Sequence, residues 1–102
     1  MNAVRVQYTV KAEYVDTNKA NIQRVMADLK ALNNPDIKYS SFQLDDGKTF
    51  MHFVMRANVE AQKTLSDLPS FQEFQRQLRE SGPEIPPKAE DLALVGASWD
   101  IF

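Results

Sequence analysis

The chain has no cysteine, one histidine, one tryptophan and three glycines among its 102 residues. Without cysteine there is no disulfide, no thiol nucleophile and no thiolate zinc site, which fits a reducing, cytoplasmic setting. One histidine leaves only carboxylates to hold a metal, and no ligand spacing supports a metal site. The glycines fall at a turn, at a helix end and near the C-terminus, so none builds a phosphate-cradling loop. Positive charge is scarce too: the formal net charge is −2 and no run of Lys and Arg stands out. Neither a nucleic-acid partner nor an anionic membrane surface is expected. No apolar stretch approaches the roughly 20 residues of a membrane span. The first residues alternate and build no apolar block, so no signal peptide is expected. The length suits one domain over residues 1–102.

What the chain does have is clear periodicity. Val4, Val6, Tyr8, Val10 and Ala12 alternate with Arg5, Gln7, Thr9, Lys11 and Glu13, which predicts a half-buried strand. Ile22, Val25, Met26, Leu29 and Leu32 recur at three and four, the stripe of an amphipathic helix. Asp16, Thr17 or Asn18 can cap its start, and Asn33-Asn34-Pro35 ends it. Two strands then flank Asp46-Gly47, a pair that favours a type I′ hairpin turn. That turn pairs Tyr39 with Val54, Ser41 with His52 and Gln43 with Phe50. A second helical region follows Asn58, a candidate cap, and is interrupted at Pro69. "SFQE" offers a capping box from Ser70 to Glu73 for the restart. Gly82-Pro83 stops it, "EIPPKAED" reads as an exposed connector, and "LALVGASWDIF" reads as a last strand.

The order β-α-β-β-α-β predicts an α+β, ferredoxin-like fold, a four-stranded antiparallel sheet with two helices on one face. By parity the hairpin divides into two faces. Phe42, Leu44, Met51, Phe53 and Met55 are expected beneath the helices. Ile37, Tyr39, Ser41, Gln43, Phe50, His52, Val54 and Arg56 are expected on the bare face, beside Arg5, Gln7 and Thr9. A mixed patch of this kind suggests an interface, and a two-fold homodimer is the simplest occupant. In that arrangement the tail "GASWDIF" reaches toward the partner.

This order, with "KTFMHFVMRAN" running into a helix and "DLPSFQEFQRQL" after it, resembles the dimeric α/β-barrel superfamily. Within it the chain is most similar to antibiotic-biosynthesis-monooxygenase-like domains. Pro69, Phe71 and Phe74 match the proline–phenylalanine segment of that group. The resemblance implies a homodimer with a small-molecule pocket in each subunit. Activities in the superfamily include cofactor-independent quinone-forming oxygenation, haem breakdown and lactone isomerisation. Haem breakdown calls for a histidine on the second helix, and residues 58–81 contain none.

His52 is the leading chemical candidate, because an imidazole exchanges protons near neutral pH. Tyr39 lies diagonally across the hairpin within reach of it. In the catalytic expectation His52 takes a proton, Tyr39 orients the ligand, and Arg56 or Arg5 steadies negative charge. Arg5, Gln7, Phe50 and Trp99 form the expected substrate side. The ligand would be a small aromatic, enolisable or acidic compound, with no metal or bound redox cofactor. The structural alternative has His52 bonded to Ser41 or across a dimer seam, and the arginines in ion pairs with Asp100, Glu13 or Asp45. A non-catalytic binding or structural homodimer is the second functional reading.

Overall fold

The computed structural model describes residues 1–102. Its elements are β1 (Asn2–Thr9), a 3-10 turn (Ala12–Tyr14), α1 (Val15–Leu32), β2 (Ile37–Gln43), β3 (Thr49–Arg56), α2 (Val59–Asp67), α3 (Pro69–Glu80) and β4 (Ile85–Leu92). All neighbouring strands are antiparallel and their order is β2-β3-β1-β4. The expected ferredoxin-like α+β arrangement is present, with the second helical region split at Pro69. No helix is long and apolar enough to cross a membrane.

The hairpin register is the expected one: Tyr39 pairs with Val54, Ser41 with His52 and Gln43 with Phe50. The turn differs. Only Gly47 has positive φ, at 75°, and its N–H donates to the Leu44 carbonyl. Type I′ needs two positive φ values, so the connection is a longer loop with glycine alone in the left-handed region. The Asp46 carboxylate organises it by accepting from the backbone N–H groups of Lys48 and Thr49 and from the Thr49 hydroxyl.

Helix ends follow the local signals in part. Asn58 caps α2, its Oδ1 accepting from the Ala61 N–H at 2.8 Å. Asn33 closes α1 in the left-handed conformation, with φ 50°. Two expected caps do not form. α1 begins at Val15, so Asn18 lies one turn inside it and is fully buried. α3 begins at Pro69, which puts Ser70 inside the first turn; Glu73 binds Arg76 and Gln77 instead. Proline at the first helical position starts the helix without a side-chain cap, since its missing N–H would have no partner there.

The C-terminal third also differs. The proline-rich segment is itself β4, and residues 93–102 form no strand. β4 is an edge strand exposed along its whole length, the place in a sheet that tolerates proline. Its register against β1 shifts between Gln7 and Thr9, beside Pro86 and Pro87.

The largest correction concerns the hairpin faces. β1 pairs Val6 with His52 and Tyr8 with Phe50, so these side chains share one face. That face lies under the helices: Tyr8, Val10, Phe50, Ile22, Val25, Phe74 and Leu78 form one buried cluster. His52 and Tyr39 therefore sit beneath the helices. Arg5 and Gln7, opposite Phe53 and Met51, stay on the bare side. The expected patch joining Arg5 to His52 does not exist. β1 buries its apolar face as expected, and its pairing with β3 carries His52 inward with it.

Candidate functional site

His52 is 2% exposed and is held by three side chains. The Tyr8 hydroxyl is 2.8 Å from Nε2, and the Tyr39 hydroxyl is 2.7 Å from Nδ1. Ser41 Oγ lies at 3.4 Å from Nε2, a weaker contact. Behind Tyr8, the Asn18 Nδ2–H donates to the Tyr8 oxygen at 3.0 Å. Four residues from β1, α1, β2 and β3 thus form one buried chain of hydrogen bonds.

The partners determine how hydrogens run along it. Tyr8 has one hydroxyl proton, and its oxygen already accepts from Asn18. With Asn18 donating to its oxygen, Tyr8 donates to Nε2. His52 then carries its proton on Nδ1 and donates to the Tyr39 oxygen. Tyr39 has no second protein partner, so its own O–H is free to donate into the space it lines. The reversed chain would need the Asn18 amide turned over, so that Oδ1, which has no partner in this orientation, accepts from Tyr8.

Burial sets the charge state. Desolvation lowers the His52 pKa from 6.5 to about 4, so the imidazole is neutral at pH 7. Desolvation also drives both tyrosines well above their ordinary range, and in Tyr8 the Asn18 hydrogen bond offsets part of that rise. All members of the chain are neutral, as a network this deep requires.

Above it lies a cavity of about 370 Å³ between sheet and helices, within the roughly 300–1,000 Å³ of small-molecule sites. Val6, Tyr8, Tyr39, His52 and Val54 form its floor, and Phe71, Phe74, Gln75, Leu78 and Arg79 of α3 form its wall, with Pro87 at the β4 side. The aromatic lining is ordered. Phe71 meets Tyr39 edge-on with centroids 6.1 Å apart, and Phe74 lies 5.5 Å from the His52 ring. The cavity extends to β4 because that edge strand is exposed rather than packed under a helix.

Two of the seven site residues expected from sequence meet here, His52 and Tyr39. Arg56 lies near the end of β3 opposite Asn2, to whose Oδ1 it donates, and takes no part in the cavity lining. Arg5 on the bare face donates to Gln7 Oε1 at 2.9 Å and sits 4.0 Å from Glu90, which occupies Gln7 as well. Phe50 is core, stacked on Tyr8 at 5.8 Å. Trp99 is 64% exposed in the C-terminal segment on the opposite side of the sheet. Sequence reasoning missed Tyr8, Asn18, Gln75 and Arg79. Tyr8 alone had a signal, its parity with Val6; the others depend on which helix faces which strand. No group of three or more His, Cys, Asp and Glu side chains is placed to hold a metal ion.

No protein-family model matches the chain, and no curated protein matches its sequence. Solved structures do share its fold. Rv0793 from Mycobacterium tuberculosis superposes with a TM-score of 0.78 at 15% identity, covering 96% of this chain and 98% of that one. A crystal structure of an antibiotic biosynthesis monooxygenase gives 0.74 at 12% identity, covering 94% and 100%. A variant of SnoaB, a cofactor-independent oxygenase from Streptomyces nogalater, gives 0.71 at 11% identity, covering 97% of each. At these identities the likeness is one of fold. The chain shares the ferredoxin-like fold of these solved structures.

Proposed function

We propose that residues 1–102 form one small-molecule-binding domain that acts as a cofactor-independent oxygenase on a phenolic or enolisable compound, with Tyr39 meeting the substrate oxygen. The observation that carries this reading is the Tyr39 hydroxyl. It is backed by His52, lacks any other protein partner and lines an aromatic-walled cavity. A fixed donor in a poorly hydrated site stabilises negative charge developing on an enolate or phenolate oxygen. A compound that enters as its phenolate or enolate, its proton already given up to bulk water, is electron-rich enough to react with dioxygen. A phenol and dioxygen give a quinone and water, a balance that needs no outside reductant. In this scheme Tyr39 is the catalytic residue and His52, Tyr8 and Asn18 are positioning residues. His52 holds the proton that keeps Tyr39 a donor. It is not a free base, since both ring nitrogens are engaged. Arg56 and Arg5 have no part in it.

The working unit is a homodimer joined through the bare side of the sheet. Phe42 is 54% exposed there and stacks edge-on against Phe53. Met51, Phe53 and Met55 are only half buried, and exposed Leu94 and Trp99 border the same patch. A second copy is the simplest cover for a patch of this size.

Oxygen uptake and quinone absorbance, measured over a panel of phenols and quinols, test the proposal. Turnover by the wild-type chain that falls at least tenfold in Tyr39→Phe is expected. Binding of phenols without any oxygen uptake would favour the second reading, a non-catalytic ligand-binding homodimer. One observation supports that alternative: every ring nitrogen of His52 is already satisfied by protein, as a purely structural core histidine requires.

A further inference from the structure

The rim of the cavity carries a charge that the buried network does not use. Gln75 and Arg79 are four residues apart on α3, so they stand one turn apart on the same helix face, and both line the cavity. Neither side chain forms a hydrogen bond or ion pair. Arg76, on the same helix, is by contrast held by Glu73 and Glu80. Arg79 is the one charged group in the lining, because His52 and both tyrosines are neutral there. A largely apolar interior thus opens beneath an uncompensated cation. A guanidinium at such a mouth attracts an anion, and its planar fork matches a carboxylate.

We infer that the ligand is an aromatic or enolisable carboxylic acid whose body lies on Phe71 and Phe74, whose acceptor oxygen meets Tyr39, and whose carboxylate pairs with Arg79. The Gln75 amide supplies a second donor at the rim. This rests on the cavity reading above and adds the substrate's charge to it. A structural role competes with it, since a cation in the last turn of α3 also suits the helix dipole. That role affects stability but creates no preference among ligands.

Calorimetric titration of the full chain with three matched probes separates these: a hydroxynaphthoic acid, its methyl ester and the parent naphthol. The acid is expected to bind about tenfold more tightly than the ester, as suits one charge-assisted contact. Arg79→Gln should abolish that advantage while leaving the affinity for the ester unchanged, and Arg79→Lys should retain part of it. Equal binding of acid and ester overturns the inference and leaves the cavity reading intact, because the ester still reports the Tyr39 contact. Acid preference that survives Arg79→Gln also overturns it, with a lowered urea midpoint then assigning Arg79 to the helix dipole alone. Failure of all three probes to bind overturns both readings.

Discussion

Tyr8 and Tyr39 grip the same imidazole from opposite sides. Tyr8 Oη is 2.8 Å from Nε2 of His52, and Tyr39 Oη is 2.7 Å from Nδ1. The two tyrosines come from β1 and β2, which do not touch each other, because β3 runs between them. The histidine strand therefore joins a tyrosine tied to Asn18 to one with no further protein partner, and both line the cavity. This asymmetry leaves Tyr39 as the end of the chain whose hydroxyl is open to the cavity.

Removing that end leaves a specific deficit. Tyr39→Phe keeps the rings packed on Phe71 and His52 but takes away the oxygen that accepts from Nδ1–H. The buried donor left behind should cost about 1–3 kcal/mol of stability, measured by urea unfolding. Affinity for a phenolic probe should fall about tenfold, while an apolar probe of the same shape should bind as before.

Acid should weaken the fold through His52. The unfolded chain takes up this proton near pH 6.5 and the folded chain only near 4. Each step down in pH across that window therefore favours the unfolded chain, whereas above 6.5 both states are neutral and the contribution is flat. Over the whole window the loss approaches about 3 kcal/mol. Asp46 and Glu73, both held below their ordinary values, lose their contributions at lower pH as carboxylates protonate. Urea unfolding at pH 7, 6 and 5 measures the His52 limb, and His52→Phe should lack it. Because the chain has one histidine, its ring nitrogens are readable by NMR without assignment. The neutral ring should show a protonated Nδ1 and a bare Nε2.

Two local substitutions probe the backbone. Gly47 has φ +75° and open space where a Cβ would go. Gly47→Ala should therefore cost about 1–2 kcal/mol from conformation alone. Asn58→Ala removes the cap on α2 and should cost about 1 kcal/mol. Urea midpoints measure both, and similar costs in the presence and absence of ligand are expected, because neither residue lines the cavity.

Sedimentation velocity should find two copies associated at micromolar concentration. Phe42→Glu puts a charge on the bare face at a side chain already half exposed. It should yield single copies with an unchanged far-ultraviolet spectrum. A wild-type chain that sediments as one copy at every concentration would remove the dimer.

Element order was legible in the sequence, because period two and period three-to-four patterns report directly on strands and helices. So was the hairpin register, which Asp46-Gly47 centres whichever turn type forms, and so were Asn58 and Pro69 as helix signals. β4 was missed: an edge strand with one side open to water needs no apolar alternation, and its two prolines read as a connector. The side of the hairpin that turns inward was decided only by tertiary structure. Both faces carry several apolar residues, so local hydrophobicity cannot rank them, and the lone histidine made the correct face look like the wet one. Pairing of β1 with β3 broke the tie by adding Val6 and Tyr8 to the His52 side. There the hydroxyls of Tyr8 and Tyr39 satisfy the imidazole and remove the penalty for burying it. The cavity, its free Tyr39 hydroxyl and the cation at its rim exist because α3 crosses that face, a contact between segments far apart in the chain that no local pattern encodes.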